Sequence, residues 1–406
     1  MQTHQTHQTH ASEFRNPPTM RQPAHDPMRD FMPENAAARY FVYVSNAQDG
    51  EIAVLHLDAE RGALTPHARV SAGAAVMPLA LAPGGRRLYA ATRGERRELL
   101  AYEIDPRNGE LALDTRTPIE SSLAYLCAEP RGRFLLGASY GEHRLSLYRV
   151  DDVVNGRGVP LQVVDGIAHA HCAIVSDDGR FAYVSSLGSD RVLGFALDEA
   201  GALRAIGTVE LGAGFGPRHL RLSPQGDRLY VLSEFRATVA AFARDAATGQ
   251  LTASGVSPRA AELAHLGDGF ARPNHADPVQ PDPAALAKLV WAADLHGSPD
   301  GRFVYVSERT SSRLLALRVA QDGTLAPLGS VGTETQPRGF RLDPSGRFLV
   351  ACGEKSPYVS LYRVDAQSGA LTLAARCAGG QGANWIEIVS APDADAPHTE
   401  NAPEAS

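Results

Sequence analysis

The chain has 406 residues, with 39 Lys+Arg against 46 Asp+Glu and a formal net charge of −7. This mild acidity argues against a nucleic-acid or membrane-surface partner, and leaves any anionic small molecule to a local arginine cluster rather than to the global field. Four cysteines (Cys127, Cys172, Cys352, Cys377) lack CxxC or zinc spacing and read as reduced thiols of a cytoplasmic protein, and no apolar run approaches the ~20 residues of a membrane helix.

Residues 1–38 open with MQTHQTHQTH, continue with Pro, Arg and Asp and few apolar residues, and lack the apolar core of a secretory signal. They read as a disordered extension, a solvated tail or an upstream start used ahead of Met20, Met28 or Met32. Metal binding through His4, His7 and His10 is the lesser reading. The stretch after about residue 391, APDADAPHTENAPEAS, reads as a disordered tail. Residues 39–390 carry the fold.

A turn of the form P-x-G-R recurs: PGGR at Pro83, PRGR at Pro130, DDGR at Asp177, PQGD at Pro224, PDGR at Pro299 and PSGR at Pro344. Its glycines are spaced by 47, 47, 47, 75 and 45 residues, the period of a propeller blade. Each unit divides into four short strands. In the second unit these are A (Leu79–Ala82), B (Leu88–Ala91), C (Leu99–Ile104) and D (Glu110–Asp114), with glycine supplying the positive φ of the A–B turn. A D-x-x-x-G break or a shorter relative separates C from D, as in DPRNG and DAATG. Only Pro283–Leu289 looks helical. At the ends, Phe41–Val44 reads as a B strand with no A strand before it, and Asn384–Val389 as an A strand with nothing after it. The expected fold is therefore all-β: a seven-bladed β-propeller of four-stranded blades, closed by the C-terminal strand in the first blade. The stretched interval predicts an insertion at about 252–290, entering strand A of the sixth blade.

Register then predicts a site. The loops entering strand A and joining B to C open on one face. Counting back from each turn gives the heads of strand A: Met77, Ala124, His171, Arg218, Ala293 and Arg338. Counting forward gives the ends of strand B: Arg93, Tyr140, Leu187, Glu234, Arg309 and Glu354. Surface loops are charged in any case, so no single arginine here marks a site; their convergence on one mouth does. Strand alternation turns Cys172 and His219 away from the channel and makes His219 a packed, hydrogen-bonded histidine. Asp294 and His296 share a strand face and are candidates for substrate binding or for buried polar links. No G-x-S-x-G elbow, P-loop or dinucleotide fingerprint is present.

The segments GPRH (Gly216–His219), WAADLHGSPDGR (Trp291–Arg302), ETQPRGF (Glu334–Phe340) and GQGANW (Gly380–Trp385) resemble those of the seven-bladed propeller lactonases typified by bacterial 6-phosphogluconolactonase. The resemblance spans roughly residues 40–390. It implies a channel-mouth active site falling on His171, Arg218, Glu234 and Arg309, with the ETQPRG arginine at Arg338. Cys172 and Ala173 replace the Ser and Asn that follow the histidine in the family type. The segment Leu251–Val290 is longer than in the type enzyme and should lie over the mouth.

The expected activity is hydrolysis of a sugar lactone, most readily 6-phospho-D-glucono-1,5-lactone to 6-phosphogluconate in the pentose phosphate pathway. His171 is the expected general base, Glu234 its orienter or alternative base, and Arg218 and Arg309 the oxyanion or substrate clamps. Arg338 and Arg93 are expected at a phosphate, with Asp294 and His296 also on the substrate side. No metal or cofactor is expected, nor any partner beyond the lactone, in a monomer or weak oligomer. Other readings are a carboxymuconate-type cycloisomerase using the same residues, and a non-catalytic propeller presenting Phe215 and Phe270 to a protein.

Overall fold

A computed structural model describes residues 39–273 and 278–392; His4, His7, His10 and the two predicted tails up to residue 38 and from 393 lie outside them. The described residues form seven four-stranded antiparallel sheets from 28 strands. The first blade is composite. Strands β1 (Arg39–Asn46), β2 (Glu51–Asp58) and β3 (Ala63–Ser71) follow in sequence, and β28 (Ala383–Ser390) adds the innermost strand. The β1–β28 register runs from Tyr40 opposite Ser390 to Asn46 opposite Ala383, so the ring closes as the orphan strands predicted.

The other inner strands are β4 (Val76–Leu81), β8 (Tyr125–Ala128), β12 (Ala170–Val175), β16 (Pro217–Leu222), β20 (Ala292–Gly297) and β24 (Pro337–Leu342). Each packs against the next, and β24 and β4 flank β28. All six turn glycines (Gly85, Gly132, Gly179, Gly226, Gly301, Gly346) have φ between 66° and 73°, the left-handed region where a Cβ is disfavoured.

Apolar side chains from facing sheets make the core between blades, and a recurring polar staple fixes its register. Tyr43, Tyr183 and Tyr305 lie on second strands. Each donates its hydroxyl to a D-x-x-x-G carbonyl in the next blade: to Gly109 at 3.0 Å, Gly249 at 2.8 Å and Gly369 at 2.9 Å. The same glycines lie so close to Phe41, Phe181 and Phe303 that a Cβ would approach them to 2.5, 2.4 and 2.4 Å. The break glycine is thus required by packing as well as by the turn.

Three details differ from the sequence reading. A short helix, α1 (Val150–Val154), leads out of the third strand of blade three and was not expected; its core contribution is Val153. The helix at Pro283 ends sooner, at Leu286 (α2), started by Asp282 accepting the Ala284 N–H at 3.0 Å. Leu251–Val256 pairs as the outer strand of blade five, so the long connection runs from 257 to 291.

The closing strand gives a direct test. Ile386 is buried between the first and last blades. Ile386→Ala is expected to lower unfolding free energy by about 2–5 kcal/mol in a urea titration. Truncation after Gly382 is expected to abolish the cooperative transition, because the exposed edge of β1 has no other partner.

Candidate active site

The heads of the inner strands are not regular. In β4, β12, β16, β20, β24 and β28 one extra residue is accommodated opposite the neighbouring strand. Such a bulge breaks the alternation of side chains and re-aims them. In β16 it falls between Pro217 and Leu220, so Arg218 and His219 both serve the channel. The predicted outward turn of His219 is therefore corrected. Its ring lies 5.2 Å from Tyr125, 5.5 Å from His171 and 5.7 Å from Trp385, which come from three other blades. Cys172 does face the neighbouring blade, accepting the Leu220 N–H at 3.4 Å.

Around His219 the hydrogen bonds fix one tautomer. Arg218 Nη1 can only donate, so His219 Nε2 accepts from it at 3.0 Å, and Nδ1–H donates to Asp294 Oδ1 at 2.7 Å. Arg218 also donates to the Ala293 carbonyl, and its Nε stands 3.4 Å from Glu234 Oε2. The other Glu234 oxygen accepts from Arg309 Nη2, while Arg309 Nε donates to the Trp291 carbonyl at 3.0 Å. His171, Arg218, Glu234 and Arg309 are exposed by only 5, 1, 8 and 7%. His171 Nδ1 is buried and unpartnered.

The structure thus gathers the four expected catalytic residues at one end of the channel, but not with every contact expected. Glu234 makes no hydrogen bond to His171 among the described residues; it is held between two arginines. Arg338 pairs with Glu354 at 3.2 Å, and its charge acts on both His171 and Arg93. Arg93 donates to Ser122 at 3.1 Å. Asp294 and His296 lie deeper. Asp294 binds His219 and, through Oδ2, His296 Nε2 at 3.2 Å, while His296 lines a cavity at the opposite end of the channel.

Sequence reasoning missed His219 and Arg272. The long connection lies on the mouth, where Tyr140 donates its hydroxyl to the Arg272 carbonyl at 2.8 Å. The Arg272 guanidinium stacks 4.0 Å above Trp291, and its charge acts on Glu234. Only the predicted position of the insertion hinted at such a residue.

Residues 40–388 match the family model described as a lactonase with a 7-bladed beta-propeller. The chain belongs to the seven-bladed β-propeller lactonase family. It is 33% identical over 353 residues to a 6-phosphogluconolactonase of Enterobacter sp. (strain 638), covering 86% of this chain and 98% of that one. A 6-phosphogluconolactonase of Sodalis glossinidius is 37% identical over 236 residues, 57% of this chain and 65% of that relative. Among solved structures, a periplasmic gluconolactonase of Pseudomonas aeruginosa superposes with a TM-score of 0.72 at 23% identity, over 87% of this chain and all of that one. That last likeness concerns the fold.

In this lactonase-family site, burial and charge set the protonation states. Burial, then the Arg218 and Arg338 charges, hold His171 well below the usual imidazole range. Burial and Arg218 push His219 down to about 4, and burial and Arg221 push His296 down to about 3. All three rings are neutral near pH 7. Burial alone would raise the Glu234 carboxyl, but Arg309, Arg218 and Arg272 outweigh it and keep it ionised.

These depressed values carry a stability signature. The unfolded chain takes up protons at its histidines near pH 6.5, where the folded chain refuses them. The contribution of neutral His171, His219 and His296 is therefore complete above about pH 7 and is lost as pH falls toward their folded values. Each ring adds a slope of up to about 1.4 kcal/mol per pH unit. Urea midpoints measured from pH 7.5 to 5 are expected to fall steadily, and a flat profile would contradict the neutral assignment.

Proposed function

We propose that the protein hydrolyses 6-phospho-D-glucono-1,5-lactone to 6-phosphogluconate, in the cytoplasm, as a step of the pentose phosphate pathway. One observation carries this beyond family membership. A chain of net charge −7 places Arg93, Arg218, Arg272, Arg309 and Arg338 about one channel mouth, with Glu234 and Glu354 among them and a neutral imidazole at the centre. That is the charge a phosphate dianion and a developing oxyanion require, and the lone pair a water-activating base requires.

In this reading the neutral His171 imidazole accepts a proton from the attacking water. The hydroxide adds to the lactone carbonyl, and Arg218 and Arg309 stabilise the tetrahedral oxyanion. Collapse breaks the ring C–O bond, and the imidazolium returns the proton to the leaving oxygen. Glu234 positions both arginines. Arg338, Arg93 and Arg272 hold the phosphate at the mouth.

A coupled assay of lactone hydrolysis above the spontaneous background tests the activity. His171→Ala and Arg218→Ala, each verified as folded, are expected to lose at least ~100-fold in kcat. Rates near wild type would reject these roles. Arg338→Ala is expected to raise KM for the phosphorylated lactone roughly 10-fold or more while changing little for unphosphorylated glucono-1,5-lactone. Equal effects on both substrates would remove it from the phosphate. A protein that cyclises carboxymuconate and leaves the lactone at its spontaneous rate would instead be a cycloisomerase.

A further inference from the structure

Arg218 takes its direction from hydrogen bonds at one nitrogen. Glu234 stands 3.4 Å from Nε, yet Nε itself makes no hydrogen bond. The guanidinium is held at Nη1, which donates to His219 Nε2 at 3.0 Å and to the Ala293 carbonyl. Among the described residues Nη2 has no hydrogen-bond partner, which leaves its N–H groups to a ligand.

His219 fills its place only as one tautomer. A guanidinium N–H needs a lone pair on Nε2, so the ring proton must sit on Nδ1. Asp294 enforces this. Its Oδ1 accepts from His219 Nδ1 at 2.7 Å and from the Leu295 N–H at 2.9 Å, while Oδ2 accepts the Phe340 N–H at 3.2 Å. A backbone amide on each oxygen favours the ionised carboxylate, which has no proton to give to Nδ1. Tyr125, His171 and Trp385 surround the ring, which is 2% exposed, so bulk water does not replace a lost acceptor there. A neutral acceptor also suits the chemistry. A second carboxylate against Arg218 would cancel charge that a developing oxyanion needs, whereas an imidazole lone pair gives direction and leaves the charge in place.

We propose that His219 and Asp294 are positioning residues for the reaction: Asp294 fixes the tautomer of His219, and the Nε2 lone pair aims the Arg218 guanidinium so that Nη2 receives the oxyanion. Both act through Arg218. This role rests on the oxyanion function proposed for Arg218 and names the groups that set it.

The tautomer is read first, without substrate, by long-range proton–nitrogen NMR of the full chain isotope-labelled at histidine, with His219→Gln identifying the His219 signals. A protonated Nδ1 and a bare Nε2 are expected near neutral pH, and the Nε2 signal is expected to move in Arg218→Ala, where its donor is missing. A proton on Nε2, or a signal that does not move, would overturn the proposal whether or not the lactone is the substrate. Lactone hydrolysis is measured next. His219→Leu is expected to lower kcat at least ~10-fold while KM stays within about 3-fold. His219→Gln, whose amide oxygen stands in for Nε2, is expected to recover most of that loss. Asp294→Asn, which keeps the volume but turns an NH2 group on His219 or on the Phe340 N–H, is expected to lower kcat at least ~10-fold and serves as the second variant should the leucine protein fold poorly. In an Arg218→Ala background His219→Leu is expected to change kcat by less than about 3-fold, because the group it acts through is gone. Equal losses in both backgrounds, or folded His219→Leu and Asp294→Asn proteins with wild-type kcat, would overturn the proposal. A wild-type chain that leaves the lactone at its spontaneous rate refutes the substrate assignment instead, and the NMR result then decides the Asp294–His219–Arg218 coupling.

Discussion

Everything at the mouth depends on the pairing of β28 with β1. A propeller blade cannot bury both faces alone, and the inner strands form a continuous wall only when the first and last blades share a sheet. That pairing is between segments more than 330 residues apart, as the Asn384 side chain bound to the Ser45 carbonyl at 3.4 Å illustrates. Its consequence is local elsewhere in the ring. Glu234 meets Arg309, and His219 meets Asp294, across 75 residues of chain, because blades five and six are neighbours with a long connection between them.

Once the wall is closed, burial governs the chemistry. Arg218 is almost wholly enclosed, and desolvation lowers its pKa to about 9, with Glu234 opposing the shift. It nevertheless remains charged near neutrality. Glu234 offsets part of the cost of that buried charge and fixes its direction, as does the neutral His219 below it. A continuous polar chain then runs down the channel from Glu234 through Arg218, His219 and Asp294 to His296. Each member is oriented by the one before, which is how a fully buried set of ionisable groups keeps a single arrangement.

The two ends of this chain differ in how they are finished. At the mouth the long connection supplies a roof, with Trp291 and Phe235 packed against Leu187, Tyr140 and Leu289 and with Arg272 stacked on the indole. At the opposite end only the short A–B turns frame the opening, and a cavity remains. The propeller symmetry is thus broken by one insertion, and the catalytic candidates lie under it.

The sequence by itself determined the blade count, the closure and the membership of the mouth. Turn spacing, φ-demanding glycines and period-two strands are short-range signals that a repeated fold preserves in register, and His171, Arg218, Glu234, Arg309, Arg338 and Arg93 follow from counting alone. What only the tertiary structure decided was orientation. The bulges at the strand heads shift side chains by one position without any mark in the residue pattern, so His219 reaches the channel that strict alternation turns it from, and Glu234 lies between Arg218 and Arg309 rather than on His171. Arg272 and the far-end cavity likewise depend on how a non-repeating connection and separate A–B turns meet in space, and periodicity does not carry that information.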